Sequence, residues 1–391
     1  MNVVLLTYEL NVCGGTHKQL LRLAEYLLKQ GHDVTILTRF YDLEKTYPEF
    51  KEIKVKSLYK DDWNKTAPQT GFINKIKNKI HKMNDSIKLY REIPKDVDII
   101  NIHDNGLDEV LLLQRLFFKK AKTIWQINDL PYCFRVGTNA QLNDGFKQYL
   151  KRVYMRFIST VVDEITVNVT KNAERVEQCF SRKAKVFYCG VDVNDALEKH
   201  TYNIKDNSVR ILSSGVLFPY RNYETLVYVV ENLKSKNINV HLDVIGATDR
   251  SPAYSEKIIN LVKEKQLENE ITIWGQVDDA KYNELHNGAD MFAFININQS
   301  WGLAVFEAMS CGLPVIVSES VGAIELLHNN EDAIIVDPEN VEAVSDVVLK
   351  LMNDKDYYNK ISENAYKAVK EFTWDNLYSS KAENLFKELQ N

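Results

Sequence analysis

Between Ala289 and Ser318 the chain sets an amide, a glycine and an acid in an order suited to gripping a phosphorylated sugar. An apolar run at 291–295 breaks into a polar segment, 296–300, that contains Gln299. Gly302 then opens a helical period that begins with Leu303 and Ala304 and carries Glu307 about one turn on. The first turn of a helix leaves backbone N–H groups unpaired at the positive end of its dipole, so the Leu303 and Ala304 amides make an anion site. A carboxylate at Glu307 can accept hydrogen bonds from two ribose hydroxyls. Phosphate and ribose together spell a nucleotide. The plainer readings are a charge near a helix start for Glu307 and an ordinary loop residue for Gln299.

Other residues qualify by position. Gly14-Gly15 follows the first apolar run, where a glycine-rich turn either approaches a phosphate or simply turns tightly; it is not a G-x-G-x-x-G fingerprint. His103, with Asp104 behind it, ends the run at 97–102, where open sheets place ligands, but a structural histidine fits equally well. His17 is an acceptor-site candidate or a helix-start residue, and Trp274 walls a nucleobase or fills the core. Asp96-Val97-Asp98 has the spacing of a metal-binding pair, yet it leads into a buried strand, and no metal is expected.

Short β-rich runs alternate with helical periods along the whole chain. Strands are expected near 3–7, 34–38, 53–58, 97–102, 123–127, 164–169 and 185–188, and again near 209–213, 240–245, 271–274, 291–295, 315–317 and 333–336. Such alternation means parallel sheets covered on both faces. Two series in 391 residues mean two doubly wound α/β domains: 1–190, a linker at 191–207, and 208–372, with a last helix in 373–391 returning to the first domain. The cleft between them is the default ligand site.

With 45% apolar and 26% charged residues, the composition is that of a soluble globular protein. No apolar run approaches the roughly 20 residues a membrane span needs, and a signal peptide is not expected. Five scattered cysteines with no C-x-x-C spacing suit a reducing, cytoplasmic setting. The net charge of −5 divides into +7 over residues 1–200 and −12 over 201–391, which points to an anionic partner for the first half. No nucleic-acid signature accompanies that charge, so nucleic acid is not expected. In 72–95, Ile73, Ile76, Ile80, Met83 and Ile87 form one helical stripe flanked by Lys75, Lys77, Lys79, Lys82 and Lys88. That helix either rests on an anionic membrane, with Lys119-Lys120 and Lys151-Arg152 extending its basic face, or packs on its own sheet.

The chain resembles the retaining glycosyltransferases of family 4, which have the two-Rossmann-domain GT-B fold. The central match is E-x7-E followed by EAM-x-x-G-x-PV, read here as Gln299 through Val315 with Glu307-Ala308-Met309 inside it. Supporting matches are Gly14-Gly15, Gly31-His32-Asp33-Val34, Cys189-Gly190-Val191-Asp192, Gly215 through Arg221-Asn222, Gly246, Gly275 and Phe372-Thr373-Trp374. The resemblance implies transfer of a sugar from a nucleotide-sugar donor to a hydroxyl of a glycan or lipid-linked acceptor, without metal or cofactor. Donor contacts would come from Gly14, Gly15, Gly215, Arg221, Asn222, Gly246, Trp274, Gln299, Gly302, Leu303, Ala304 and Glu307, and acceptor contacts from His17 and His103.

Two departures stand out. Gln299 replaces the family's first glutamate, and Asn128-Asp129 stand where many members have a histidine near the transferred sugar. Asn128 can bind a hydroxyl but cannot move a proton, whereas Asp129 can. Val216 also replaces a frequent second cation, leaving Arg221 as the phosphate fork. In the family's front-face mechanism the departing phosphate oxygen helps deprotonate the acceptor. The alternatives are a non-catalytic sugar- or nucleotide-binding partner subunit, suggested by the two neutral substitutions, and a GT-B epimerase, which the EAM-x-x-G-x-PV match disfavours.

Overall fold

Thirteen strands, all paired in parallel, build two sheets in the computed structural model, which describes residues 1–60, 72–103, 106–117, 120–134, 145–192, 200–299 and 301–391. Asp104, Lys119, Ser300, the side chains of Ile73 and Lys75, and part of the expected linker lie outside the described residues. The first sheet has β1 (Asn2–Leu10), β2 (Asp33–Tyr41), β3 (Val55–Tyr59), β4 (Ile99–His103), β5 (Lys122–Ile127), β6 (Glu164–Val167) and β7 (Lys185–Val186), in the order β3-β2-β1-β4-β5-β6-β7. The second has β8 (Ser208–Ser214), β9 (Asn239–Ile245), β10 (Ile271–Gly275), β11 (Met291–Phe294), β12 (Val315–Ser318) and β13 (Ile334–Val336), in the order β10-β9-β8-β11-β12-β13. Each of the thirteen apolar runs marked in the sequence is a strand, to within a few residues at its ends.

The connecting helices of the first unit are α1 (Gly15–Lys29), α2 (Phe72–Arg91), α3 (Asp108–Phe117), α4 (Phe146–Val161) and α5 (Thr170–Phe180). Those of the second are α6 (Tyr223–Ser235), α7 (Pro252–Glu264), α8 (Asp279–Gly288), α9 (Leu303–Ser310), α10 (Val341–Asn353) and α11 (Lys355–Val369). Right-handed crossovers put α2, α3, α4 and α5 on one face of the first sheet, and α1 on the other. A π-helical turn, Asp375–Ser379, leads into α12 (Ser380–Gln390). This last segment packs with α1; beside that helix Glu383 meets the His32 ring at 2.9 Å, and Gln390 donates to the Asp98 carbonyl at 2.9 Å.

Val191–Thr373 makes one compact unit; the described residues before it, with Trp374–Asn391, make the other. The described part of the expected linker belongs to the second unit. There Tyr202 stacks edge-on with Tyr358 at 5.2 Å, and Ile204 packs on the core.

Both cores follow from strands covered on two faces. Val3, Val4, Leu5 and Leu6 are all fully buried, as are Phe292, Val315, Ile316 and Val317. Burial of each such side chain stabilises by about 1.5–3 kcal/mol. Helix α1 stops where Gly31 takes φ +81°, and the His32 N–H returns to the Leu27 carbonyl at 3.0 Å.

Candidate functional site

In the second sheet the strand order reverses between β8 and β11, so the loops after these two strands flank the position where open α/β sheets bind ligands. Gly215 opens the first of these loops, directly after β8, at φ +148°. A Cβ there would lie 2.4 Å from the Arg221 guanidinium carbon, so only glycine leaves room for that side chain. Gly246, at φ +151°, backs onto it: a Cβ would fall 2.0 Å from the Gly215 carbonyl oxygen. Main-chain bonds lock the two loops, Gly215 N–H to Ile245 O at 2.7 Å and Leu217 N–H to Ala247 O at 3.0 Å.

Arg221 is thereby held in a cage. Its guanidinium lies 5.2 Å from the Tyr220 ring centre and 5.6 Å from that of Phe294, the last residue of β11. Nη1 donates to Gln299 Oε1 at 3.2 Å. The same Gln299 oxygen accepts from the Asn296 amide. That acceptor is neutral, Arg221 makes no ion pair among the described residues, and its buried Nε has no partner. The site holds an uncompensated positive charge.

The opening of α9 lies beside the same ring. Gly302 comes so close to Phe294 that a Cβ would sit 3.0 Å from the ring edge. Among the described residues no side chain caps the helix, and the first-turn amides of Leu303 and Ala304 have no intrahelical acceptors. Val305, Phe306, Ala308 and Met309 are buried, whereas Leu303, Ala304 and Glu307 are half-buried on the remaining face. Glu307 Oε2 accepts from the Tyr282 hydroxyl at 2.9 Å. Burial and the neighbouring carboxylate raise the Tyr282 pKa well above its ordinary value, so the phenol remains a donor. Tyr282 belongs to α8 and to no motif; only its proximity to Glu307 reveals it.

Three positions expected at the donor have partners of another kind. Asn222, buried and left-handed at φ 53°, donates to the Pro338 carbonyl at 2.7 Å and accepts from Thr225 at 3.1 Å, which fixes the start of α6. Gly246 is the backrest of Gly215. Trp274, on the edge strand β10, is 37% exposed; its indole donates to Asp243 at 2.7 Å and the Lys281 ammonium lies 4.1 Å over its ring.

In the first unit the order reverses between β1 and β4. Gly14 precedes α1, with Gly15 its first residue, and a Cβ on Gly14 would lie 3.1 Å from His17 Nδ1. His103, the last residue of β4, is buried, and neither ring nitrogen has a hydrogen-bond partner. Burial, with some repulsion from His17, lowers the His103 pKa to about 3. Burial likewise lowers that of His17 to about 4, against a backbone hydrogen bond at Glu9. Both rings are neutral at pH 7.

Asn128 is turned inward. It donates to Gln19 at 2.8 Å and accepts from Gln126 at 3.0 Å, and Gln126 accepts from Thr166 at 2.6 Å. With both ends of its amide engaged, Asn128 positions Gln19 on α1, while Asp129 beside it is exposed. The sequence marked neither Gln19 nor Gln126, because a lone amide carries no pattern. Asp98 lies at the opposite, N-terminal end of the central strands, accepting from the Asn2 N–H at 2.8 Å.

Comparison with known proteins fits this arrangement. The family model described as Glycosyltransferase Family 4 matches residues 13–195, and that described as Glycosyl transferases group 1 matches 195–368. The chain belongs to these glycosyltransferases. An uncharacterized glycosyltransferase of Methanocaldococcus jannaschii is 23% identical over 96% of both chains. A probable sucrose-phosphate synthase of Thermosipho melanesiensis is 27% identical, over 93% of this chain and 88% of that one. Among solved glycosyltransferase folds, the sucrose-phosphate synthase of Thermosynechococcus elongatus superposes with a TM-score of 0.77 at 17% identity, over 100% of this chain and 99% of the other. Anabaena HepE, solved with UDP and glucose, gives 0.73 at 16% identity, over 98% and 99%. The two sheets are thus the paired Rossmann-like units of the GT-B fold.

Proposed function

We propose that this glycosyltransferase moves a sugar, with retention of anomeric configuration, from a nucleotide-sugar donor to a hydroxyl of a glycan or lipid-linked acceptor. The second unit holds the donor. The single observation that carries this reading is the caged Arg221, which pairs with no acid among the described residues, beside a start of α9 that no described side chain caps. An arginine fork and free amides together bind a diphosphate. Glu307, steadied by Tyr282, takes the ribose hydroxyls. As the anomeric C–O bond breaks, negative charge collects on the β-phosphate, where preorganised donors lower the barrier most. The departing phosphate oxygen takes the acceptor proton as the new C–O bond forms on the same face, without a metal ion.

The first unit takes the acceptor at the β1–β4 end, where His17 and His103 offer neutral groups suited to hydroxyls, while Gly14 and Gly15 are kept for the donor phosphates. Asp129 is the residue there able to move a proton, and Asn128 acts through Gln19. Uridine nucleotides are the first donors to try, since Anabaena HepE was solved with UDP and with UDP-glucose.

A thermal-shift panel of nucleotide sugars tests donor binding, because a ligand raises the melting temperature according to affinity and concentration. Wild type should be stabilised by one nucleotide class and Glu307→Ala by none; equal shifts in the two proteins would refute the ribose assignment. Release of nucleoside diphosphate separates an enzyme from a binding subunit, and the anomer of the product reports retention.

A further inference from the structure

Among the described residues, fourteen large apolar side chains are exposed, and ten of them lie on α2, α3 and α4, neighbouring helices on one face of the first sheet. The most regular set is on α4. Phe146 (75% exposed), Tyr149, Leu150, Val153 and Phe157 follow steps of three and four, one continuous stripe. They are not the helix's packing face, for Met155 and Ile158 are buried and Tyr154 hydrogen-bonds Asp108 of α3. Helix α4 therefore has two apolar faces, one used by the core and one open.

Charge decides what fits the open face. Helix α4 contains Lys147, Lys151, Arg152 and Arg156 and no acid. On α2, Ile76, Ile80 and Met83 are exposed at 44–56%, and its only acid, Asp85, is fully buried. Arg39 ties α2 down through the Lys82 carbonyl and Ser86 Oγ, both at 2.7 Å, so its exposed stripe is a fixed feature of the fold. A second copy of this chain suits the surface poorly, since a two-fold contact would set each cation against its own kind. An anionic bilayer suits both properties: aromatic and aliphatic side chains enter the headgroup boundary while the lysines meet lipid phosphates.

We infer that α4 is the principal membrane-docking helix of this chain, inserting Phe146, Leu150 and Val153 into an anionic lipid surface, with α2 as its partner. The inference is independent of the transfer reaction, because vesicle binding is read without catalysis.

The test is co-sedimentation of the full chain with phosphatidylcholine vesicles, with and without phosphatidylglycerol. Wild type should pellet with the acidic vesicles only, and less so at high salt. Phe146→Ser with Leu150→Ser, and separately Lys147→Glu with Lys151→Glu, should each lower partitioning at least about tenfold, with unchanged circular dichroism and melting. Ile76→Ser with Ile80→Ser should lower it less. If the serine pair fails to fold, the charge pair alone decides. Wild type that ignores acidic vesicles, α4 variants that bind as wild type does, or loss confined to the α2 variant would overturn the assignment. So would light scattering that finds a wild-type dimer and a monomeric serine variant, because a second copy would then cover this face.

Discussion

Arg221 Nη1 donates to Gln299 Oε1 at 3.2 Å, so the guanidinium at the candidate donor site is matched by a neutral amide and not by a carboxylate. Gln299→Glu would place a negative charge at the same distance and form a half-buried ion pair. The variant should melt slightly higher than wild type and bind UDP about tenfold more weakly, roughly 1.4 kcal/mol. Calorimetric titration checks this. Undiminished UDP affinity would mean that Arg221 does not meet the diphosphate.

Gly246 should be the least replaceable glycine of the second unit. An alanine there collides with the Gly215 carbonyl at 2.0 Å and keeps a φ of +151°, so Gly246→Ala should destabilise by more than about 3 kcal/mol. Gly31→Ala, with open space around it and φ +81°, should cost only about 1–2 kcal/mol. Urea unfolding of the pair separates collision from backbone strain.

Tyr282→Phe removes one hydrogen bond and leaves Glu307 in place. Donor KM should rise about three- to tenfold, a loss of the order of one hydrogen bond to a charged group, with kcat little changed. Glu307→Ala should abolish transfer. Steady-state kinetics showing kcat alone reduced in the phenylalanine variant would place Tyr282 nearer the reacting atoms than its ribose role allows.

His286 links pH to stability. It is fully buried beneath Tyr282, its ring nitrogens are unpartnered, and burial, with repulsion from His200, lowers its pKa to about 4. Between pH 6.5 and about 4 the unfolded chain therefore takes up a proton that the folded chain refuses. Stability is complete above pH 6.5 and falls with acidification by up to about 1.4 kcal/mol per pH unit for this group. His286→Phe should remove that slope, seen as a smaller loss of unfolding free energy from pH 7 to pH 5. An unaltered slope would show that His286 is already charged in the fold.

The two sheets were legible because strands covered on both faces appear as apolar runs, and helices as a 3.6-residue period. The α9 segment was legible for a related reason. Gly302, Leu303, Ala304 and Glu307 lie close together in the chain, and local spacing alone sets which helix face they share.

Residue order by itself thus determined a two-sheet α/β protein with a glycine-led helix start and its acid. Tertiary structure alone decided that Arg221 rests over Gly215 beside Gln299, 78 positions along, and that Tyr282, 25 positions from Glu307, steadies it. It also decided that Asn128 turns inward to Gln19, 109 positions away, and that the α4 stripe stays open. Periodicity records how a segment coils because neighbours along the backbone impose it. A side chain's partner, or the lack of one, depends on which distant segments fold against it, and no local pattern carries that information.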